Sequence, residues 1–252
     1  MEYNPFSLND KKVLITGASG DIGKVAAVEC AKMGADVFLT GRNKEKLEES
    51  RSDASVFSKT EIQCQVCDLS DFDSIRELAI KLPELDGIVF NAGISKLVPV
   101  KYIKESDFRK ILDVNLVSSS ILLKEILKQK KLKDAASVVF TSSAAGLYDP
   151  IMGNAMYSAS KGAVCAFAKN AAIELAGRKI RVNAVCPGMV NTKMIRVNEG
   201  LEYSDVGGLK RYPLGRYARP EEIAYAFIYL LSDASAWITG TDFIIDGGLH
   251  IG

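Results

Sequence analysis

Residues 16–23 read TGASGDIG and decide the fold, because they join an apolar run, VLIT at 13–16, to a helical pattern, KVAAVECAKMG at 24–34. Glycine recurs at every third position of this stretch, at Gly17, Gly20 and Gly23. Bare backbone at these positions can approach a pyrophosphate at the amino-terminal end of the helix. The stretch therefore predicts the turn of a dinucleotide-binding βα unit.

The P-loop is the competing phosphate-binding motif, and the stretch departs from it twice. Five residues separate Gly17 from Gly23, where the P-loop has four. Val25 follows Lys24, where the P-loop needs Ser or Thr. We therefore retain the dinucleotide interpretation.

Asp21 is unexpected in a loop that holds an anionic phosphate, because a carboxylate beside a pyrophosphate costs Coulomb energy. It stands at the start of the predicted helix, with Lys24 one turn on. There a carboxylate can accept a backbone N–H and complement the positive end of the helix dipole. We favour this local role, with the side chain facing away from the phosphates, over direct contact with the cofactor.

Composition and charge exclude several classes of protein. The chain has 252 residues, 48% of them hydrophobic, and no linker interrupts it, so we predict a single α/β domain over 1–252. Its 32 basic and 31 acidic residues leave a net charge of +1, which offers no field for nucleic acid or an anionic membrane. The amino terminus lacks the order of a signal peptide, and no apolar stretch approaches the ~20 residues of a membrane helix. The cytoplasm is the predicted compartment.

Cysteine and histidine usage argues against disulfides and metal. Five cysteines are an odd number in a chain too long to need a disulfide framework. Cys64 and Cys67 fall on opposite faces of a predicted strand, and no second pair completes a zinc site. The single histidine, His250, lies near the carboxyl terminus, which argues against a His-based triad or a multi-histidine site. We expect buried or half-buried thiols and no metal.

Short apolar, β-rich runs alternate with helical patterns along the chain. The predicted strands cover residues 13–16, 36–40, 62–66, 87–90, 137–140, 181–186 and 242–245. The predicted helices cover about 22–33, 43–51, 71–81, 105–131, 154–176 and 220–232. This alternation is typical of an α/β fold with a doubly wound parallel sheet, helices on both faces, and ligands at the carboxyl ends of the strands.

Two segments carry further expectations. The long irregular stretch 189–220 is predicted to be a substrate-binding loop, because loops of that length in a compact domain are usually lids or binding segments. The predicted helix 154–176 is rich in small residues nearly all the way round. A helix with so little polar face is expected to pack on two sides, which favours a homo-oligomer.

The stretch YSASK places Tyr157 and Lys161 four residues apart at the start of this helix. That spacing puts the phenol and the ammonium on one face, where the cation can stabilise a phenolate. A free tyrosine with a pKa near 10 is a poor base, but a neighbouring lysine and a positively charged nicotinamide both lower that pKa. The pair is a workable acid–base catalyst without histidine. A surface tyrosine and lysine that happen to be neighbours are the alternative.

With these motifs the chain resembles the short-chain dehydrogenase/reductase family over essentially its whole length. The matching motifs are TGASGDIG, CDL at 67–69, NAG at 91–93, VNL at 114–116, TSSAAG at 141–146, YSASK, RVNAVCPGMVNT at 181–192 and ITGTDFIIDGG at 238–248. The resemblance implies a single Rossmann-type domain with seven parallel strands in the order 3-2-1-4-5-6-7. It also implies a dimer or tetramer that transfers hydride between a nicotinamide cofactor and a carbonyl or alcohol.

The resemblance implies four catalytic residues. Tyr157 would protonate the carbonyl oxygen as hydride arrives, and Lys161 would bind the nicotinamide ribose and lower the pKa of Tyr157. Ser143 would hydrogen-bond the substrate carbonyl, and it matches the family pattern better than its neighbour Ser142. Asn115 would anchor a proton-relay water near Lys161.

The resemblance also implies a set of cofactor-binding residues. Asn91 to Gly93 would support the cofactor loop, Asp68 would contact the adenine, and Thr192, after Pro187 and Gly188, the carboxamide. Ordinary alternatives are a helix cap for Asp68, a turn for NAG and a strand end for the Pro-Gly pair. The complete predicted set is Gly17, Ser19, Gly20, Asp21, Ile22, Gly23, Arg42, Asp68, Leu69, Asn91, Ala92, Gly93, Tyr157, Lys161, Pro187, Gly188, Val190 and Thr192.

The chain departs from the family pattern at Asp21. The shorter members usually carry TGxxxGxG, with glycine where Asp21 stands, whereas the spacing here is similar to the TGxxGxxG of the longer-chain branch. That branch accepts side chains at this position, so cofactor binding is expected, with affinity open to tuning.

Cofactor choice depends on the residue that ends the second strand. An acid there hydrogen-bonds the ribose of NAD and repels a 2′-phosphate, whereas an arginine attracts the phosphate. Gly41 occupies the acid's usual place and Arg42 follows it, which favours NADP(H) over NAD(H). Two points oppose this: Arg42 is also explained as a solvated residue at a helix start, and Gly20 replaces the basic residue that many NADP-dependent members carry there.

Substrate identity is predicted only by similarity. PLGRYARPEEIA at 213–224 is similar to 3-oxoacyl-carrier-protein reductases and to polyol, sugar and steroid dehydrogenases of the same family. A cluster of basic residues could dock an acidic carrier protein, and it comprises Lys128, Lys130, Lys131, Lys133, Arg178 and Lys179. Ordinary solvated residues at helix ends explain these charges equally well. A cofactor-binding regulatory protein without turnover is the alternative from another class, and the intact catalytic set counts against it.

Overall fold

A computed structural model describes residues 3–192 and 208–251. It contains one sheet of seven parallel strands in the order β3-β2-β1-β4-β5-β6-β7, which confirms the predicted fold class and strand order. The strands are β1 Lys12–Thr16, β2 Asp36–Gly41, β3 Gln63–Val66, β4 Leu85–Phe90, β5 Leu132–Thr141, β6 Arg181–Pro187 and β7 Asp242–Ile245. The main helices are α1 Asp21–Lys32, α2 Lys44–Ser55, α3 Phe72–Lys81, α4 Glu105–Leu112, α5 Ser118–Lys128, α6 Ala155–Leu175 and α7 Pro220–Leu231.

The central strands are apolar throughout because helices cover both faces of the sheet. Successive residues of β1 face opposite sides: Leu14 packs into one buried cluster, Val13 and Ile15 into the other. The cluster around Leu14 includes side chains of α3, α5 and α6, and the other includes side chains of α1, α2 and α7. The parallel register of β1 between β2 and β4 brings the carboxyl ends of these strands to one edge.

One predicted helix is wrong. The segment 105–131 is not continuous, because a π-helical turn at Asp113–Val117 separates α4 from α5. A π-turn inserts an extra residue into the helical ladder and is frequent at functional sites. Here it carries Asn115, whose side chain is buried, so the interruption sets the direction of a predicted site residue.

The two cysteines of the CQVC segment lie on opposite sides, as their spacing predicts. Cys67 is buried, whereas Cys64 is exposed, so the expectation of a buried or half-buried thiol holds for Cys67 alone of this pair. All five cysteines are free thiols. Among the described residues, no helix has the length and apolarity needed to cross a bilayer.

Candidate active site

A cleft opens at the carboxyl ends of β5 and β6. It brings together predicted residues from separate parts of the chain, namely Ile22, Ser143, Tyr157, Pro187, Gly188, Val190 and Thr192. Of the predicted substrate-binding loop 189–220, the stretch 193–207 lies outside the described residues.

The glycine loop is packed so closely that side chains are excluded at two of its three glycines. Gly17 has a φ of 65°, and a Cβ there would lie 2.8 Å from the Cα of Ala92. A Cβ on Gly23 would lie 2.3 Å from the carbonyl oxygen of Gly17. Gly20, the exposed N-cap of α1, would meet nothing closer than 3.4 Å. Bare backbone and the start of α1 therefore face open space at Gly20, as an approaching phosphate requires.

Thr16 ties the glycine loop to the NAG segment. Its hydroxyl oxygen accepts hydrogen bonds from the backbone N–H groups of Asn91, at 3.0 Å, and Ala92, at 3.2 Å. The same hydroxyl lies 3.5 Å from the carbonyl oxygen of Val89 in β4. The two predicted cofactor segments are therefore joined by hydrogen bonds at the ends of β1 and β4.

Asp21 is the first residue of α1 and is half-buried. Its position at the positive end of the helix agrees with the local role predicted for its carboxylate. Lys24, one turn on, forms an ion pair of 2.8 Å with Asp53 of α2. The charge of Lys24 is therefore directed toward the neighbouring helix.

Tyr157 and Lys161 lie one turn apart on α6, and the Lys161 Nζ is 5.7 Å from the centre of the Tyr157 ring. Lys161 is buried, and its ammonium donates a 2.7 Å hydrogen bond to the carbonyl oxygen of Thr141, where β5 ends. Burial lowers the pKa of Lys161 to about 8, because a desolvated ammonium is disfavoured. The Lys161 amine therefore remains mainly protonated at pH 7, although its pKa lies only about one unit above that pH.

Asn115 is held in a fixed orientation by its amide. Its Oδ1 accepts a 2.7 Å hydrogen bond from the N–H of Ile94, and its Nδ2 donates to the Ile94 carbonyl and to the Ser160 hydroxyl, each at 2.9 Å. A Cβ on Gly93 would lie 3.3 Å from both Asn115 Oδ1 and Lys161 Nζ. Gly93 thus marks the point where the NAG segment, the π-turn and the lysine of α6 converge.

The adjacent serines after β5 have different environments. Ser142 is buried and donates a 2.8 Å hydrogen bond to the carbonyl oxygen of Lys161. Ser143 is half-buried at the cleft, and its hydroxyl oxygen accepts a 3.2 Å hydrogen bond from the N–H of Ala145. The Ser143 hydroxyl hydrogen is therefore available to a substrate oxygen, whereas Ser142 already uses its hydrogen within the protein.

The ends of β2 and β3 meet where the adenosine half of a dinucleotide is expected. Gly41 is buried, and a Cβ there would lie 2.7 Å from the Ser19 Oγ, whereas Arg42 is exposed. Hydrogen bonds from the backbone and hydroxyl of Ser70 lower the pKa of Asp68, and the charge of Arg42 adds to this effect. Asp68 therefore closes a local turn, and it is Asp71 that caps α3. Leu69, the next predicted residue, is buried.

This arrangement fits a nicotinamide dinucleotide. A glycine cradle that side chains would fill lies at the start of α1, and two buried polar atoms line the cleft without hydrogen-bond partners in the described part of the chain. They are the Thr141 Oγ1 and the Asn154 Oδ1. Buried polar atoms are normally satisfied, so these two are suited to a bound molecule.

Sequence reasoning missed four supporting residues. Thr16 joins the two loops, Thr141 holds Lys161, Ser160 holds Asn115, and Asn154 lines the cleft. Thr16 and Thr141 are the first residues of the motifs TGASGDIG and TSSAAG, a position that could have identified them. Ser160 could not be found from spacing alone, because its partner Asn115 lies 45 residues away. Asn154 could not be found either, because the cleft that it lines is built from distant parts of the chain.

The basic cluster lies on the wrong edge for delivery of a carrier-bound substrate to the cleft. Lys128 ends α5 and Leu132 begins β5, so the cluster surrounds the amino-terminal end of a strand whose other end reaches the cleft. Along this length β5 runs beside the six residues of β4, which span roughly 20 Å. Lys133 and Arg178 also form ion pairs with Asp86 and Asp134. The structure therefore does not support this cluster as a docking surface for that site.

Comparison with known proteins gives consistent matches. The profile of the family described as "Enoyl-(Acyl carrier protein) reductase" matches residues 17–250. A 3-oxoacyl-[acyl-carrier-protein] reductase of Rickettsia conorii is 35% identical over 244 residues, which cover 96% of this chain and 98% of that protein.

Solved structures extend these matches. A short-chain type dehydrogenase/reductase of Mycobacterium marinum superposes with a TM-score of 0.91 at 30% identity, covering 98% of each chain. A Beutenbergia cavernae protein assigned as an NAD(P)-dependent gluconate 5-dehydrogenase, with NADP bound at low occupancy, gives a TM-score of 0.89 at 28% identity. That match covers 98% of this chain and 99% of the other.

Proposed function

The chain belongs to the short-chain dehydrogenase/reductase family, an NAD(P)-dependent oxidoreductase family, and from that premise we propose that it is an NADPH-dependent reductase of 3-oxoacyl thioesters. The observation that carries this proposal is a single cleft. Ser143 and Tyr157 line it together with four predicted cofactor-binding residues, Ile22, Pro187, Gly188 and Thr192. Residues suited to carbonyl chemistry thereby border residues suited to a dinucleotide.

In the proposed reaction the reduced nicotinamide, when bound, supplies a hydride to the carbonyl carbon. Ser143 donates a hydrogen bond to the carbonyl oxygen and polarises it. Tyr157 donates its phenolic proton to that oxygen as negative charge develops there. The product is a secondary alcohol, and Tyr157 is left as a phenolate.

Lys161 and Asn115 support this proton transfer. The buried ammonium of Lys161 lies on the same face of α6 as the phenol and stabilises the phenolate electrostatically. Asn115 keeps the NAG segment against the π-turn, and with Lys161 it encloses the space beside Gly93 where a relay water is expected. Reprotonation of Tyr157 would follow this polar route.

Preference for NADPH is supported by the residues at the end of β2. Gly41 offers no carboxylate to repel a 2′-phosphate, and the side chain of the neighbouring Arg42 is exposed to solvent. Arginine can bind a phosphate through two parallel N–H groups. The NADP in the Beutenbergia cavernae protein is consistent with such a site in this fold.

The substrate class is supported by the cleft lining and by the relative from Rickettsia conorii. Ile151, Met189 and Val190 form an apolar side next to Ser143 and Tyr157, which suits an acyl chain attached to a reactive carbonyl. The partner would then be an acyl group carried on a thioester, as the name of the relative specifies for that protein.

A sugar or polyol is the second candidate substrate class. Asn154 Oδ1 is buried in the cleft without a partner in the described part of the chain, and it could accept a hydrogen bond from a hydroxyl. The gluconate 5-dehydrogenase assignment of a structural neighbour favours the same interpretation. Both candidates use the same catalytic set.

We also propose that the chain forms a homo-oligomer through α6. The face of this helix turned away from the sheet exposes Ala159, Ala166 and Ile173. These residues are seven positions apart, about two helical turns, so they lie along one stripe of the helix surface. Ile173 is 79% exposed, which is unusual for a side chain that gains by burial. Light scattering of the protein and of Ile173→Glu tests this: a smaller particle is expected for the variant, and an equal mass of one chain for both would contradict the proposal.

The test of function is NADPH oxidation with a 3-oxobutanoyl thioester, with a 2-enoyl thioester of equal length and with gluconate-type polyols in parallel arms. Oxidation that requires the 3-oxo group and is lost in Tyr157→Phe is expected. Tyr225→Phe, an exposed tyrosine of α7, is the matched control and should retain activity. Turnover of the enoyl or polyol substrate alone would replace the proposed substrate class.

A further inference from the structure

We propose that Cys165, Cys186 and Asp242 form a binding site for a thiophilic divalent cation, Zn²⁺, between α6 and the edge of the sheet. The site has no role in the proposed hydride transfer. The sequence predicts no metal site, on the basis of Cys64, Cys67 and the single histidine. This proposal departs from that prediction. The three residues come from α6, β6 and β7, and only the folded chain unites them.

The first support is the distance between the two sulfur atoms. Cys165 Sγ and Cys186 Sγ lie 3.7 Å apart, and both residues are buried. A zinc ion binds thiolates at about 2.3 Å in a tetrahedron, so the edge joining two such sulfurs measures about 3.8 Å. The thiols therefore already have the separation that the ion would require. One ligand atom from each of the three residues lies within 4.8 Å of the others.

The register of the sheet explains why a carboxylate joins the two thiols. Asp242, the first residue of β7, lies opposite Ala184 of β6. Cys186 follows Ala184 by two positions, so both side chains point to the face covered by α6. Cys165 lies on the buried side of that helix, beside Val164 and Ala168. The small side chain of Ala184 leaves room for Asp242 to reach the sulfurs.

The second support is an unsatisfied oxygen. Asp242 Oδ1 is buried and has no hydrogen-bond partner among the residues that the structure describes. Its other oxygen accepts a hydrogen bond from the ammonium of Lys169. A buried carboxylate oxygen without a partner is costly, and a cation bound by the neighbouring sulfurs would satisfy it.

Ser142 can complete the coordination. Its Oγ lies 3.1 Å from Cys165 Sγ, and the hydroxyl hydrogen is directed to the Lys161 carbonyl, which leaves the oxygen lone pairs on the opposite side. Two sulfurs, one carboxylate oxygen and one hydroxyl oxygen make four ligands, which is the coordination number that zinc prefers. Access from solvent is by way of Asp242 and Lys169, whose side chains are 16% and 51% exposed.

The charges of the site balance when the ion binds. Each thiol releases its proton to solvent as its sulfur forms a bond to the metal, so two protons leave for each Zn²⁺ that enters. Two thiolates and one carboxylate carry three negative charges against the two positive charges of the ion. Lys169, already paired with Asp242, supplies the remaining positive charge.

Binding would link α6, β6 and β7 one turn beyond Lys161. Because a cation that binds the folded chain alone stabilises it by mass action, the thermal unfolding midpoint should rise with Zn²⁺ concentration. We expect bound Zn²⁺ to contribute to the stability of the fold, so the measurement is thermal unfolding and not enzyme activity.

The experiment uses the full chain, treated with a chelator, dialysed, and kept under a non-thiol reductant. Zn²⁺ is titrated against a chromophoric chelator, and Co²⁺ serves as a spectroscopic probe of thiolate ligation. One Zn²⁺ for each chain, a higher unfolding midpoint and a thiolate-to-cobalt absorption band are expected. Cys165→Ser and Cys186→Ser should each lose the band, and Asp242→Asn, which keeps both thiols and the side-chain shape, should weaken binding at least ten-fold.

Matched controls separate this site from others. Cys64→Ser removes an exposed thiol and should bind Zn²⁺ as the unaltered chain does, and so should Tyr157→Phe, whose loss of turnover is independent of the metal. Circular dichroism shows whether each variant is folded. If a cysteine variant does not fold, the Zn²⁺ affinity of Asp242→Asn tests the proposal in its place. Binding that survives Cys165→Ser, binding lost in Cys64→Ser, or no stoichiometric binding would overturn the proposal. In protein purified without reductant, a Cys165–Cys186 disulfide in place of metal, detected as three titratable thiols instead of five, would overturn it as well.

Discussion

The ammonium of Lys161 donates a 2.7 Å hydrogen bond to the carbonyl oxygen of Thr141, which joins the helix that carries Tyr157 to the end of the strand that leads to Ser143. A second hydrogen bond, from the Ser142 hydroxyl to the Lys161 carbonyl oxygen, also joins the end of β5 to α6. The relative position of the proposed proton donor and the proposed carbonyl-binding serine is therefore maintained by two hydrogen bonds, each from a side chain to a backbone carbonyl oxygen. Lys161 has an electrostatic role and a structural role at once.

Lys161→Met should change how stability depends on pH. The pKa of Lys161 is about 8 in the folded chain and near 10.5 when unfolded, so between these values the unfolded chain binds more protons. The free energy of unfolding of the unaltered chain should therefore rise relative to the variant from about pH 8 to 10, by up to roughly 1.4 kcal/mol per pH unit. Urea titrations at several pH values measure this. A pH-independent difference would contradict a desolvated ammonium.

The two serines after β5 should respond differently to removal of the hydroxyl. Ser143→Ala is expected to lower kcat by about 10²-fold, because the group that polarises the substrate carbonyl is lost. Ser142→Ala should mainly destabilise the fold, by about 1–2 kcal/mol, because it removes the hydrogen bond to the Lys161 carbonyl. Steady-state rates and urea titrations of both variants test the pair. The reverse pattern would assign the carbonyl to Ser142.

Arg42→Ala should raise the KM for NADPH about ten-fold or more and leave the KM for NADH nearly unchanged. The reason is loss of a charge-assisted contact to the 2′-phosphate, which NADH lacks. Lys44→Ala, a nearby exposed lysine at the start of α2, is the control for general loss of positive charge. Equal effects of Arg42→Ala on both cofactors would remove the preference for NADP.

Thr16→Val should weaken binding of either cofactor and destabilise the chain by about 1–3 kcal/mol, because it leaves the N–H groups of Asn91 and Ala92 without their acceptor. Thr16→Ser keeps the hydroxyl and should restore most of the loss. Cofactor fluorescence titration and thermal unfolding measure the two effects. Failure of the serine variant to recover binding would show that the methyl group, and not the hydroxyl, is what matters.

The prediction from the sequence was most complete where a motif is local. The glycine loop, the seven strands and the strand order are confirmed by the structure, since each depends on short-range periodicity or on a family pattern. The sequence predicts one helix over about 105–131, whereas the structure has a π-turn at Asp113–Val117 that carries the buried Asn115. The basic cluster was recognised by charge, but its distance from the cleft follows from the direction of β5.

The sequence by itself determined the α/β class, the site of the glycine loop and the spacing of Tyr157 and Lys161, because these depend on neighbours within a few positions of the chain. Only the tertiary structure decided that Ser142 turns to Lys161 while Ser143 lines the cleft, and that Cys165, Cys186 and Asp242 meet. The physical reason is that the register between strands, and the packing of helices on them, set which distant side chains share a face. Sequence spacing contains no direct measure of that register.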